Sequence, residues 1–213
     1  MNFWGEMLAI FKQRKVKKIY EKKAIYYEKA LDEISKLHIL AKQMDEPLYV
    51  WFFNLAIFTL MGSYELWSFQ LSYASACRKH EQNLYARLVC LTMIEMSEDL
   101  LSLTAKEYHC FFNEVVKDPA IKARAELFRR ELVQFNKDNE KELRDIRNAV
   151  IAHKEHNIDN QVKVIVNMDN MKFMETAMYY MTLIEKLHTI QNAIIMPIFN
   201  NPDIMKTINR NQA

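Results

Sequence analysis

A short motif towards the C-terminal part of the chain is its best candidate for chemistry: Arg147-Asn148-Ala149-Val150-Ile151-Ala152-His153. An imidazole titrates near neutral pH, so a histidine can accept or donate a proton during a reaction. A guanidinium is planar and permanently charged, and its donors match the oxygens of a phosphate. In this stretch both residue types occur close together, with the polar side chain of Asn148 beside the arginine.

The spacing within the motif has a geometric consequence. On an ideal helix, Arg147 and His153 stand about 120° and about 9 Å apart, so one protomer cannot easily grip a single phosphate with both. His153 instead falls in line with the apolar stripe of Ile146 and Val150. Either the helix bends near His153 or a partner chain completes the site. The alternatives are a satisfied core histidine, or a histidine that only ends the helix and complements its dipole.

Residues 143–155 resemble the motif of the HEPN superfamily, in which an Arg, often followed by a polar residue, precedes a His by a short interval. Five residues separate Arg147 from His153, and the local sequence is most similar to the AbiU2-type branch of abortive-infection proteins. The resemblance implies metal-independent RNA cleavage at a site that two protomers form together. It implies that His153 moves protons at the ribose 2′-hydroxyl or the leaving oxygen. Arg147 would hold the scissile phosphate, and Asn148 would orient one of the two or contact the phosphate.

The same resemblance implies an all-helical homodimer that acts as a toxin or phage-defence effector, with RNA as substrate and an antitoxin protein as a further partner. Two other functions are open. A HEPN-like domain that no longer cuts, and only binds RNA or a protein, could keep much of this motif. A peripheral membrane or assembly bundle that uses residues 1–23 is the third alternative.

Basic residues are concentrated in two further places. Residues 12–23 are mostly basic, with Tyr20 in the run and Tyr26 and Tyr27 just after it. This segment could track an RNA backbone, meet anionic lipid beside the apolar residues 3–11, or form a solvated helix face. A second cluster precedes the motif on the same predicted helix and could extend a basic path towards it. With the residues that flank the motif, the predicted RNA contacts are Lys122, Arg124, Arg129, Arg130, Arg144 and Lys154.

Composition excludes several kinds of site. Only two glycines occur, so no glycine-rich phosphate loop can be built, and the net charge of +2 gives no whole-molecule basic field. His153 with His156, and Glu185 with His188, have metal-like spacing, but neither pair has the further ligands of a zinc or di-iron site. We therefore expect no metal and no cofactor. The three cysteines are widely spaced and odd in number, which is typical of a reducing, cytoplasmic compartment.

Apolar residues recur at helical spacing over most of the chain, which predicts an all-α, elongated up-down bundle of about five main helices. The predicted helices cover residues 16–44, 48–76, 81–116, 120–153 and 170–195. Pro47 and Pro119 favour helix starts, and Asp118 is a predicted cap. Residues 154–169 lose the helical period, so a short irregular or extended segment is expected there.

No repeat or linker interrupts this pattern, so the chain is expected to form a single HEPN-like domain over 1–213. It would carry an apolar and basic segment at 1–14 and an irregular tail at 197–213. The most apolar run, 48–64, is slightly shorter than the roughly 20 residues that span a bilayer. We expect it to be a buried helix, and the preferred function involves no membrane.

Overall fold

Prolines and a capping aspartate mark two helix starts, as the sequence predicts. In the computed structural model, Pro47 occupies the first turn of one helix and Pro119 begins another. Proline is well tolerated there because first-turn amides have no partner within the helix. The Asp118 carboxylate accepts a hydrogen bond from the Ala120 N–H at 2.7 Å, which satisfies one of those amides. The predicted cap is confirmed.

The structure describes residues 3–151 and 170–202, with side chains for 18–19, 21–139, 141 and 170–202. Within these ranges it contains six helices and no strand, which confirms the predicted all-α helical bundle. In chain order the helices are α1 (Phe3–Gln43), α2 (Pro47–Ser75), α3 (Lys79–Leu103), α4 (Lys106–Glu114), α5 (Pro119–Ile151) and α6 (Asn170–Phe199).

The helix α2 is central. It packs against α1, α3, α4 and α6, while α5 packs against α3, α4 and α6. In the described part of the chain, α2 is also the one helix long and apolar enough to cross a membrane, a test that core helices of bundles pass as well. Its Phe52, Leu55 and Ala56 side chains are at most 1% exposed, so the predicted burial of the run 48–64 is confirmed at these positions. Gly62 allows close packing on α3, because a Cβ there would lie 2.5 Å from Met96 Sδ.

The prediction of one helix over 81–116 is wrong. The structure ends α3 before Thr104 and begins α4 at Lys106. Thr104 is buried, its hydroxyl donates to the Leu100 carbonyl at 2.6 Å, and its carbonyl accepts a hydrogen bond from Arg129 Nε at 2.7 Å. No Gly or Pro lies at this break. A tertiary contact with α5 therefore holds the new chain direction, and local sequence carries no signal for it.

The break lets the aromatic side chains of α4 enter the core. Phe111 stacks on Phe52 of α2, with ring centroids 4.5 Å apart and ring planes at 3°. Tyr108 donates its hydroxyl to the Ala125 carbonyl of α5 at 2.8 Å. Burial raises the pKa of Tyr108 far above its usual value, so this hydroxyl stays a neutral donor. Through these contacts α4 connects the central helix to the start of α5.

Two helices extend further than the sequence predicts. The backbone of α1 is helical from Phe3 rather than from residue 16, and α6 continues through Pro197 to Phe199. Pro197 lies near the end of α6, so its missing N–H disturbs only the final turns. The prediction of an irregular chain from residue 197 is wrong for this turn. The predicted extended segment at 154–169, and the end of the chain from 203, lie outside the described residues.

Candidate functional site

The first five motif residues, 147–151, occupy the last turns of α5. This helix runs without interruption through Ile151, so Arg144, Arg147 and Asn148 all stand on a helical backbone. Their side chains, and all of His153 and Lys154, lie outside what the structure describes. What the structure adds is the position of this helix end relative to the other helices.

Contacts between α5 and α6 show that the two helices are antiparallel. Lys186 Nζ lies 2.7 Å from a Glu131 carboxylate oxygen, and the Phe135 and Tyr180 ring centroids are 5.1 Å apart. A step forward along α5 is therefore a step backward along α6. Both helices rise by about 1.5 Å per residue, so Arg147 stands level with the first turn of α6.

The ends of two further helices meet this first turn of α6. The Asn170 side chain donates a hydrogen bond to Asn83 Oδ1, which belongs to the first turns of α3. The Tyr73 hydroxyl, near the end of α2, lies 3.9 Å from Met171 Sδ. The end of α5 therefore shares one end of the bundle with the link between α2 and α3.

A basic segment of α1 belongs to the same end. The Tyr27 and Tyr64 ring centroids are 5.4 Å apart, and one turn earlier on α1 Lys23 Nζ lies 5.2 Å from the Trp67 ring centroid. Hence α1 runs antiparallel to α2, and Lys18 stands level with the last turns of α2. We define the motif end of the molecule by residues 18–24, 72–88, 140–151 and 170–176.

Charge is distributed unequally between the two ends. The motif end contains ten Lys and Arg against six Asp and Glu. The opposite end, defined by residues 37–50, 94–126 and 192–202, contains five Lys and Arg against nine Asp and Glu. The motif end thus has a net charge of +4 (10 − 6) and the opposite end a net charge of −4 (5 − 9). A positive potential attracts polyanions, so of the two ends the motif end is the one that would attract a polyanion.

The basic cluster upstream of the motif does not form one surface. Lys122 Nζ donates to the Asn113 carbonyl at 3.1 Å, and Arg129 Nε donates to the Thr104 carbonyl at 2.7 Å. Lys122 therefore binds a backbone carbonyl at the end of α4, and Arg129 binds one at the end of α3. Arg130 and Arg124 are exposed but stand about 120° apart around α5. The cluster starts at the opposite end of the bundle, so the predicted RNA contacts of these four residues stay predictions.

Arg129→Ala is expected to lower the unfolding free energy by about 1–3 kcal/mol, because it leaves the buried Thr104 carbonyl without its donor. The exposed neighbour Arg130 is the matched control, and Arg130→Ala is expected to change stability by about 0.5 kcal/mol or less. Urea unfolding of both variants measures the difference. Equal stabilities would show that the bond to Thr104 does not hold the α3–α4 break.

The sequence did not indicate that the link between α2 and α3 lies close to the motif. Its residues 76–78 are not among the predicted site residues, yet the link lies at the motif end, where Arg78 and the first two residues of α3, Lys79 and His80, are exposed. Arg87, one or two turns further on, is half-buried and donates its Nε to the Asn83 carbonyl at 3.3 Å. Nothing in the local pattern connects these residues with Arg147. The available signal is the alternation of helix direction, which brings the α2–α3 link and the end of α5 to one side.

The Glu185 and His188 pair lies on α6, where Glu185 is exposed and His188 packs beside the backbone of Thr59. Among the described residues, no group of three or more His, Cys, Asp or Glu side chains is arranged to hold a metal ion. His153 and His156 lie outside the described residues, so the expectation for that pair stays a prediction. Burial lowers the pKa of His188, and the hydrogen bond to the Thr59 backbone only partly opposes this shift.

The lowered pKa of His188 predicts acid sensitivity. Below the ordinary histidine pKa of about 6.5 the unfolded chain binds a proton that the folded chain resists, so stability present above that pH falls as the pH drops. One such group contributes a slope of at most about 1.4 kcal/mol per pH unit. Urea unfolding at pH 7.5 and 5.5 should show a smaller loss for His188→Gln than for the wild type. His80→Gln, at an exposed position, should keep the wild-type loss; an unchanged loss in His188→Gln would contradict the assignment.

Comparison with known proteins finds no relative from which a function could be carried over. No family model, no curated protein and no solved structure matches this chain. A function for this chain can therefore be inferred only from the motif residues and from the end of the bundle at which α5 places residues 147–151.

Proposed function

We propose that this protein is a metal-independent endoribonuclease of the HEPN type, with its site at a homodimer interface. One observation carries the proposal. The uninterrupted helix α5 brings Arg147 and Asn148 to the motif end, where basic residues of α1, α3, α5 and the α2–α3 link outnumber the acidic ones. An arginine and a histidine that cleave RNA would need basic residues around them, because every phosphate of the substrate is negatively charged.

The proposed reaction is attack of a ribose 2′-oxygen on the adjacent phosphorus. The new O2′–P bond forms as the P–O5′ bond breaks, which leaves a cyclic phosphate and a free 5′-hydroxyl. His153 moves the proton that leaves the 2′-hydroxyl or the proton that reaches the 5′-oxygen. Arg147 balances the negative charge that develops on the phosphate, and Asn148 orients one of these two side chains or contacts the phosphate.

Helix geometry supports the dimeric form of this proposal. If the helical path of α5 continued to residue 153, Arg147 and His153 of one chain would point about 120° apart. A two-fold axis near the end of α5 would let each of the two chains contribute motif residues to the same site. Light scattering at micromolar concentration is then expected to give about twice the chain mass of 25.4 kDa. A strictly monomeric protein across that range would exclude the composite site.

The cleavage test uses the purified dimer and labelled RNA. Cleavage is expected to persist in EDTA, to stop when the nucleotide at the cut site carries 2′-deoxyribose, and to leave a cyclic or 3′-phosphate. A toxin or phage-defence role in the cytoplasm, with an antitoxin as partner, extends the proposal to the cell. Expression of the wild type in a bacterial host should then be toxic, whereas the His153→Ala variant should be harmless.

The charge distribution favours one second candidate, a module that binds RNA without cutting it. The excess of basic residues at the motif end would attract RNA whether or not His153 transfers a proton. Under this alternative the wild type and His153→Ala would bind RNA equally, both would leave it intact, and neither would be toxic. Intact transfer and messenger RNA after incubation with the dimer would lead us to adopt it.

A further inference from the structure

One exposed face of α1 combines cations with an aromatic ring. Lys18, Ile19, Lys22 and Tyr26 fall within about 100° of one another around the helix. All four are exposed, Ile19 by 43% and Tyr26 by 58%. In the part of the chain that the structure describes, no carboxylate pairs with Lys18 or Lys22. The Tyr26 ring is supported from below by an edge contact to the buried Tyr27, with ring centroids 5.6 Å apart.

This combination fits a single-stranded nucleic acid. Lysines that stand one turn apart can contact successive phosphates, and an exposed aromatic ring offers a surface on which an unpaired base stacks. Lys23 adds a further cation beside Trp67, with its Nζ 5.2 Å from the ring centroid. A duplex would contact the lysines but could not use Tyr26, because its bases are already stacked and paired.

The face of α1 lies some distance from the end of α5. α1 packs on α2, and α2 packs on α3 and α6, which in turn contact α5. Neighbouring helices are spaced by about 8–10 Å, so the face of α1 lies roughly 20–30 Å from the end of α5. The exposed Arg78 of the α2–α3 link and the exposed Lys79 at the start of α3 lie at the same end of the bundle. A strand that reached from α1 to α5 would therefore pass over positive charge.

We propose that the face of α1 formed by Lys18, Ile19, Lys22 and Tyr26 holds single-stranded RNA a few nucleotides away from the motif at the end of α5. This inference rests on the proposed ribonuclease function, and it adds a binding surface and a minimum substrate length. An anionic lipid surface fits less well. Interfacial helices bury a broad apolar face, whereas the exposed large apolar side chains here, Ile19, Ile25 and Tyr26, are interspersed with the exposed lysines Lys18, Lys22 and Lys29.

The test measures RNA affinity in the His153→Ala background, so that cleavage cannot interfere. The variant carries Lys18→Gln, Lys22→Gln and Tyr26→Ala. Its matched control carries Lys42→Gln, Lys106→Gln and Ile39→Ala, which removes two charges and one exposed apolar side chain away from the motif end. The probes are fluorescent single-stranded RNAs of about 12 and about 3 nucleotides, chosen to span or not to span the expected site. Vesicles of phosphatidylcholine with phosphatidylserine form a separate arm.

The α1 variant is expected to bind the longer RNA roughly 10- to 100-fold more weakly, with a salt slope lower by about 1.4, because two phosphate contacts and one stacked base are lost. The control should bind as the parent does, and the parent should bind the shorter RNA, which cannot reach both the α1 face and the end of α5, more weakly than the longer one. Unchanged affinity for the longer RNA would overturn the proposal. It would also be overturned if the variant lost vesicle binding while its RNA affinity stayed the same. If affinity falls as expected but the wild type cuts no RNA, the α1 surface stands and the nuclease function fails.

Discussion

His153→Ala is expected to slow RNA cleavage by roughly 10²–10⁴-fold, because the variant lacks the side chain that transfers the proton. The free energy of unfolding is expected to stay within about 0.5 kcal/mol of the wild type if His153 lines an open cleft. Initial rates on a labelled transfer RNA and urea unfolding of the same preparation give the two numbers. Affinity for the RNA should change little, since the phosphates and not the imidazole provide most of the binding free energy.

A control histidine distinguishes the loss of proton transfer at the site from a general effect of removing an imidazole from the protein. His109 lies at the opposite end of the bundle, with Nδ1 at 3.4 Å from a Glu126 carboxylate oxygen. His109→Ala should therefore cut RNA at the wild-type rate. If His153→Ala instead lowered stability and left the rate unchanged, His153 would be a core residue, as its alignment with the apolar stripe allows. The proton-transfer role would then be wrong.

Arg147 provides an independent test of the same site. Arg147→Ala is expected to reduce the cleavage rate by an amount of the same order as His153→Ala, because charge on the phosphate is no longer balanced. Arg147→Lys should restore little activity, since an ammonium group does not reproduce the two parallel donors of the guanidinium. Full activity in Arg147→Lys would mean that only a point charge is needed, and the proposed grip on the phosphate would have to be given up.

Phe111→Ala should cause the largest loss of stability. Phe111 is fully buried, stacks on Phe52 with ring centroids 4.5 Å apart and lies 5.8 Å from the Trp51 ring. Replacing a buried Phe by Ala costs about 3–5 kcal/mol, because burial is lost and a cavity remains. This is a large part of the roughly 5–15 kcal/mol that holds a typical domain folded. Urea unfolding of the purified variant gives the value.

Leu127 on α5 is a suitable comparison for Phe111. It is 46% exposed, so Leu127→Ala is expected to change stability by about 0.5 kcal/mol or less. Phe111→Leu should fall between the two, since it retains part of the buried volume. A loss of under about 1 kcal/mol in Phe111→Ala would mean that α4 contributes little to the core. The contacts through which α4 connects α2 to α5 would then need another explanation.

Most of the helices are predictable because their signals are local. Apolar residues repeat with the helical period. Pro47 and Pro119 mark positions at which a new helix can begin but a preceding helix cannot continue. The cap that Asp118 provides to the Ala120 N–H involves residues only two positions apart, and this predicted cap is confirmed. The motif Arg147-Asn148 with His153 is also a local pattern. The helical backbone at Arg147 and Asn148 follows from the same periodicity.

The break between α3 and α4 was not predictable, and its cause lies elsewhere in the chain. The residues around Thr104 are compatible with a continuous helix, whereas the bond from Arg129 Nε to the Thr104 carbonyl joins positions 25 residues apart. For Lys122 and Arg129, too, the local sequence did not show the role that the tertiary structure gives them. Their type and spacing suggested RNA contacts, but each donates a hydrogen bond to a backbone carbonyl at the end of a neighbouring helix.

Helical periodicity and one motif thus identified the fold class and a candidate reaction, because both depend on residues a few positions apart. The composition of the motif end depends on how the helices pack. Lys18, Arg78 and Arg147 are far apart in the chain, and antiparallel packing of α1 with α2 and of α5 with α6 brings them to one end. Charge adds up in space and not along the chain, so a net charge of +2 could not show which end of the molecule attracts a polyanion.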